Sequence, residues 1–298
     1  MSRNVSVKTD SAPKRDSRTM ERLKEFWRRF KKNKAAVFGL VVLILLVLLC
    51  IFADQIADPA LITKLSKDRK QGPSMAHLFG TDHMGRDLFA RVIHAAPTSL
   101  TIGFTTAFFS LIIGASLGVA CAYFGGRFDD VTMRIVDVLS SIPGNLLAMV
   151  VMCVLGDGMT NLIIAMVVGR FRGMVRMSRS AAIGVANNEY IEAAQAGGSP
   201  EFRTILRHIV PNIMGTLIVS GTMSVSASII SACGLSFIGL GVQPPTPEWG
   251  YMLNEARSYM EACPHLMLFP GLALVLTSLS INLVGDGLRD ALDPKLKS

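Results

Sequence analysis

The chain has 298 residues, a net charge of +8, half of its residues hydrophobic and a mean hydropathy of +0.43. A soluble domain of this length would not carry several uninterrupted apolar runs, so composition excludes an ordinary globular enzyme and points to a membrane protein. Runs that fill most of the chain leave little room for a separate globular domain, and one membrane domain is expected.

Residues 1–34 hold twelve Lys or Arg against four Asp or Glu. Residues 1–18 read as a disordered tail, and 19–34 as an amphipathic helix with Leu23, Phe26, Trp27 and Phe30 on one side. Such a helix suits an anionic leaflet, its aromatics inserting and its lysines meeting headgroups. A nucleic-acid role is set aside, because basic runs beside a membrane span ordinarily serve the membrane. The following apolar run is too long for a cleavable signal and is preceded by too many polar residues.

A bilayer core of roughly 30 Å needs about 20 apolar residues per helix. Six stretches meet or approach that length: Ala35–Phe52, Leu100–Phe124, Val131–Leu155, Leu162–Met177, Ile213–Leu235 and Leu266–Val284, the fourth being the weakest. The expected fold is therefore all-α, with a transmembrane domain over 35–286 and a short tail over 287–298. Lys and Arg collect on cytoplasmic flanks, which places the N-terminus inside and, after six spans, the C-terminus inside with Arg289, Lys295 and Lys297. The loop after span four is then cytoplasmic, flanked by Arg176, Arg179, Arg203 and Arg207. Loop 236–264 is external and mildly acidic, with Glu248, Glu255 and Glu261 against Arg257. Residues 55–96 argue the other way: they should be external yet hold Lys64, Lys67, Arg69, Lys70, Arg86 and Arg91. Loops of this length weigh less than short flanks.

Little in the chain suggests chemistry of its own. Cys50, Cys121, Cys153 and Cys233 lie in or beside apolar spans and Cys263 near a boundary, without metal-knuckle or disulfide spacing. His77 and His83 share one loop but lack a further ligand at fixed spacing, so no metal site is expected. No phosphate-cradling Gly-x-x-x-x-Gly-Lys-Ser/Thr loop is present, and no catalytic residue or cofactor is assigned. Any driving energy must then come from an ion gradient or another subunit. Arg170 and Arg172 sit just past Leu162–Gly169. Arginine at membrane depth is costly and usually faces a bundle interior or an aqueous path. They either line such a path or mark the helix end, the latter favoured because Arg176 and Arg179 continue the run.

The densest signal is polar: Glu189-Tyr190-Ile191-Glu192-Ala193-Ala194-Gln195-Ala196-Gly197-Gly198, a Gly-Gly-Ser-Pro break, then a helical run over Glu201–Ile209 ending at Val210-Pro211. Glycine accepts positive φ and proline cannot continue the helical ladder. This loop, about 178–211, resembles that of permease subunits of binding-protein-dependent ABC importers. Their signature of Glu-Ala-Ala, three residues, Gly and a later Leu-Pro stands here as Glu192-Ala193-Ala194, Gly198 and Val210-Pro211, with Val where Leu is usual.

Four further blocks are similar to the second permease of dipeptide, oligopeptide and nickel importers: His77–Asp87, Gly125–Asp129 with Arg134 and Asp137, Leu235–Gly250, and Asn282–Pro294. The resemblance covers the chain from about residue 20 to its end. It implies the six-helix type I importer permease fold in a bacterial cytoplasmic (inner) membrane. It also implies a homologous second permease, two ATP-binding subunits that hydrolyse ATP, and an extracytoplasmic substrate-binding protein. By the resemblance, Glu189, Glu192, Ala193, Ala194, Gly198 and Pro211 couple to the ATPase. Gly239, Gly241, Pro244, Pro245, Glu248 and Trp249 would form an external gate or docking face, and Gly80, Gly85 and Asp87 have the plainer reading of a turn and a helix cap. Peptide cargo leads and nickel or a metal chelate is the alternative, which His83 and Gly156–Asn161 would also suit. A secondary transporter would need intramembrane carboxylates, for which Asp137 and Asp157 are the only candidates near the spans.

Overall fold

The computed structural model describes residues 15–292, the side chains of 15–20, 22 and 23 excepted, and every regular element among them is helical. In chain order these are α1 (Arg15–Lys32), α2 (Lys34–Ile51), α3 (Ala53–Ile56), α4 (Leu88–Phe124), α5 (Gly126–Ser140), α6 (Gly144–Leu155), α7 (Met159–Ala186), α8 (Glu189–Ala196), α9 (Glu201–Thr204), α10 (Val210–Phe237), α11 (Trp249–Ala256) and α12 (His265–Leu292). Both tails are only partly covered. Residues 1–14 and 293–298, with Lys295 and Lys297, lie outside the described residues, while α1 already begins at Arg15 and α12 runs on past residue 286.

The first helix packs as well as floats. Phe30 is buried against Ala36, Val284 and Ala291, so part of the aromatic face expected in lipid sits on α12 instead. Trp27 stays exposed, with the Lys31 ammonium 5.1 Å from its ring centroid. Asn33 then caps α2 by accepting from the Ala36 amide, and its own amide donates to Asp290 at 3.0 Å.

α2, α4, α12 and the continuous helix Glu201–Phe237 are long and apolar enough to cross a membrane, and the bent pair α5–α6 makes a fifth candidate. α7 has the length, 28 residues or about 42 Å, but carries four arginines. Close approaches fix the direction of each crossing. On α4, Ile102 shares a core with Leu162 of α7, Gly114 faces Met174, and Gly118 faces Ser178, so these two helices run parallel. α10 runs against them, since Gly103 meets Ile229 while Leu111 meets Gly221. α2 and α12 are antiparallel, with Gly39 against Ser280 and Gly287 against Ala36. The chain thus traverses the bundle six times. One face gathers the starts of α2 and α10, the ends of α4, α7 and α12, and α8; this is the loop face. The opposite, cap face holds residues 52–87 and 238–264.

The spacing of Gly114 and Gly118 is what admits α7. A Cβ at Gly118 would stand 2.4 Å from the Val175 carbonyl oxygen, and the Ser178 hydroxyl donates to the Gly114 carbonyl at 2.9 Å. Two small residues four apart let helix backbones touch, which substitutes for the hydrophobic drive that lipid does not supply.

Two expectations change in detail. The third span is not one straight helix: α5 and α6 meet at 83° across residues 141–143. Pro143 ends the first hydrogen-bond ladder and begins the next, because it has no N–H to donate. The helical run from Glu201 does not stop at Val210-Pro211 either. It continues into α10 through a π turn over Ile205–Ile209, in which the Val210 amide donates to the Ile205 carbonyl. That wider turn absorbs the proline, which would otherwise clash with the preceding turn.

Candidate functional site

α8 is a two-turn helix standing out on the loop face. Glu189, Tyr190, Glu192, Ala193, Gln195, Gly197 and Gly198 are exposed, Ala194 is half-buried, and Ile191 alone is buried, at 1%. Ile191 enters a core with Val119, Ala182, Ile209, Ile213 and Leu217, so a single side chain plugs this helix into α4, α7 and α10. The helix closes with a glycine cap. Gly198 adopts φ +75°, its amide donates to the Gln195 carbonyl at 2.9 Å, and the Ser199 amide donates to Ala194 at 3.1 Å. Those two bonds satisfy carbonyls the helix end would otherwise orphan. Behind the turn, Thr204 and Ser199 join through their hydroxyls at 3.1 Å. Phe202, 72% exposed, and Leu206 stand outside the core, and Pro211 is exposed on the first turn of α10. Short polar groups, small alanines and exposed apolar side chains on a rigid two-turn plug make a surface suited to a groove on another protein.

Arg170 and Arg172 have different environments. Arg172 is buried, and its guanidinium donates to the carbonyls of Leu139, Ile142 (2.9 Å) and Gly169 (3.2 Å). It therefore satisfies the backbone groups freed where α5 breaks from α6, a need that is acute inside a membrane. Gly144 and Gly169 approach backbone to backbone at the same point. Arg172 is accordingly a clamp on the broken span. Arg170 instead borders a cavity of about 650 Å³ between α6, α7 and α10, lined also by Ser140, Asn145, Ser220, Ser224 and Ser231. Further along α7, Arg176 pairs with Asp137 at 2.7 Å, and Arg179 takes Asp129 through both its Nε, at 2.6 Å, and its Nη2. Asp137, one of the two carboxylates that a secondary transporter would have needed, is thus tied to α7 near the loop face.

Residues 110–298 match the family model of the binding-protein-dependent transport system inner membrane component. The chain belongs to this permease family. Residues 21–73 match the N-terminal transmembrane domain of oligopeptide transport permease C. Relatives include the glutathione transport system permease protein GsiD of Escherichia coli O1:K1 / APEC and that of Shigella boydii serotype 4 (strain Sb227). Each is 45% identical over 274 residues, covering 92% of this chain and 90% of the relative. In structure the permease is similar to two forms of the inward-facing MetNI methionine ABC transporter, with TM-scores of 0.56 and 0.57 at 19% identity. These cover 68% and 69% of this chain and 97% and 98% of the other. At that identity the likeness establishes the fold alone.

The cap face of the permease is built around charge. Asp82 accepts from Arg86 Nε at 2.5 Å and from Arg91 Nη1 at 2.6 Å, while Glu255 of α11 accepts from both arginines at 2.7 Å. Two carboxylates and two guanidiniums so form a closed ring, almost wholly buried. Burial pushes the Asp82 carboxyl up, but Arg91, the Arg86 amide and the Arg86 guanidinium outweigh it and hold its pKa below the ordinary value. Gly80 (φ +85°) and Gly85 (φ +86°) turn the loop around the ring, and Asp87 caps α4 by accepting from the Ala90 amide at 2.8 Å. His77 bonds Asp87 at 2.8 Å and His83 stacks on Tyr259, so the two loop histidines serve different contacts.

Glu248 and Trp249, expected at an external gate or docking face, are inside the protein. Glu248 is fully buried and caps α11, accepting from the amides of Gly250 and Tyr251 and from the Ser99 hydroxyl. The Trp249 indole donates to the Val92 carbonyl at 3.1 Å. Gly241 packs on Ser236 and Gly239 takes φ +90°, while Pro244 and Pro245 are exposed. Of this group the prolines present surface, and the others shape the loop that carries them.

Sequence reading passed over the ring, the Arg172 clamp and the Gly114/Gly118 contact. Only the last had a local signal, the four-residue spacing of the glycines.

Proposed function

We propose that this permease forms half of the pore of an ATP-driven, binding-protein-dependent importer of small peptides. In this reading it pairs with a homologous permease above two ATP-binding subunits, with both termini in the cytoplasm of a bacterial cell. Forty-five per cent identity to glutathione permeases across nearly the whole chain is the observation that carries the reading. Glutathione is itself a tripeptide, which supports small peptides as the class of cargo, with di- and tripeptides as its plainest members. α8 then docks in a groove of an ATPase, with Glu189 and Glu192 as its polar contacts, Ala193 and Ala194 allowing close approach, and Gly198 holding the turn. Closure of the ATPases on ATP pushes α8, and through Ile191 the push reaches α4, α7 and α10. The exposed prolines at 244 and 245 lie on the face that an extracytoplasmic binding protein would meet.

Uptake of a radiolabelled tripeptide in cells with and without the gene tests the proposal. Loss of uptake on deletion, restored by the gene, is expected. Unchanged peptide uptake, with loss of nickel uptake instead, would transfer the chain to the metal-importing branch.

A further inference from the structure

Three of the four arginines on α7 have their charge answered. Arg172 meets three backbone carbonyls, and Arg176 and Arg179 each meet an aspartate. Arg170 does not. Among the described residues its one hydrogen bond is a long one from Nη1 to the Ser231 hydroxyl, 3.4 Å, and its buried Nε finds no acceptor. It stands eleven residues along α7, about 17 Å from the cap-face end and near the middle of the helix. A guanidinium does not lose its proton at any accessible pH, so its charge persists at that depth. Charge there is costly unless it meets water or an anion.

The surroundings favour an anion that comes and goes. The cavity beside Arg170, about 650 Å³, falls in the range of small-molecule sites, roughly 300–1,000 Å³. Its wall carries the hydroxyls of Ser140, Ser220, Ser224 and Ser231 and the amide of Asn145. Ser224 has no hydrogen-bond partner among the described residues, so it too is left with unspent capacity. Among the described residues no carboxylate lines the cavity to neutralise Arg170 permanently. Arg172 and Arg176 also border the cavity, but their charge is engaged by backbone carbonyls and by Asp137. Neutral hydroxyls around the one guanidinium left without such a partner among the described residues suit a carboxylate, which can take both guanidinium N–H groups and then leave.

We propose that Arg170 is a carboxylate-recognition station in the translocation path, receiving the free carboxylate of a peptide in transit. The inference rests on the reading that the cargo is a small peptide, whose terminal carboxyl is ionised at neutral pH. An alternative source of the same chemistry is an Asp or Glu of the second permease, which would fix Arg170 permanently.

The test uses the assembled importer in nanodiscs, without its binding protein, and measures binding of trialanine as the free acid and as the C-terminal amide. The acid is expected to bind at least about tenfold more tightly, as a charge-assisted pair implies. Arg170→Gln should bring the acid down to the level of the amide, and Arg170→Lys should keep most of the preference. No preference for the acid in the wild-type complex would overturn the proposal, and this arm needs no variant. Equal weakening of acid and amide by Arg170→Gln would overturn it too, showing a carboxylate supplied by the partner subunit. Gene-deletion uptake reports on the cargo separately, so failure of the peptide reading and failure of the Arg170 station are distinguishable.

Discussion

At the cap face, four charged side chains from residues as far apart as Asp82 and Glu255 close into one buried ring, with Glu248 locking α11 beneath it. At the loop face, α8 is held by Ile191 and a glycine turn and is otherwise exposed. The two ends of the bundle thus differ in how many bonds must fail together. Breaking one member of the ring strands the other charges in the interior, whereas α8 can lift away at the loss of one plug. A transporter with these ends has a fixed frame on one side and a yielding contact on the other.

Asp82→Ala should break this comparison most severely. It leaves Arg86 and Arg91 to share Glu255 alone, and removing one partner from a buried ionic group costs about 3–5 kcal/mol. Thermal unfolding of the purified protein in detergent should show a large drop, and a drop no larger than that of an exposed-site variant would dissolve the contrast. Acid gives an independent check. Because the folded-state pKa of Asp82 is depressed, its contribution is fully present above the ordinary aspartate value near 3.8 and is lost as pH falls through the lower folded value. Wild-type melting should therefore be flat at neutral pH and fall in strong acid, and Asp82→Asn should remove part of that dependence.

Ile191→Ala is expected to act locally. Truncating a buried isoleucine costs about 2–4 kcal/mol, here confined to the attachment of α8. Hydrogen exchange should quicken across residues 189–199 while the global melt scarcely moves, and peptide uptake should fall. A global melt lowered as far as in Asp82→Ala would show that the loop face is no softer than the cap.

Gly198→Ala is the mildest of the series. Among the described residues no atom crowds the position, so the cost is that of holding an L-residue at φ +75°, about 1 kcal/mol. Exchange should rise at the end of α8 only, and Gly198→Asn should be better tolerated than the alanine. Uptake measured beside exchange would separate a frayed helix end from a lost docking surface.

Much of the fold was legible because apolar runs long enough to cross a bilayer have few other uses. The break at 141–143 was written locally in Ser-Ile-Pro-Gly, yet the run on either side remained apolar and masked it. Long-range ion pairs leave no such trace. Arg86 and Arg91 read as an objection to an external loop, and Glu248 and Glu255 read as that face's acidic surface. The fold instead cancels Arg86 and Arg91 against Asp82 and Glu255, and buries Glu248 as a helix cap. Charges that end up neutralised inside the protein should not be counted in an orientation argument, and sequence alone does not mark them. The α8 segment was legible for the opposite reason: its turn and its exposed face depend on neighbours in the chain. Arg170 and Arg172, two residues apart, were indistinguishable until the broken span was seen to claim one of them.

The unbroken helix from Glu201 to Phe237 gives the molecule a push-rod. It begins beside the α8 turn and ends where the Phe237 carbonyl accepts from Asn254 of α11, some 55 Å away at 1.5 Å per residue. With that end held in the cap-face frame, a tilt of about 6° over that length carries the loop-face end roughly 6 Å. Leverage of this kind requires no relay of side chains, since a slight rotation at the anchored end is already a large stroke at the free one.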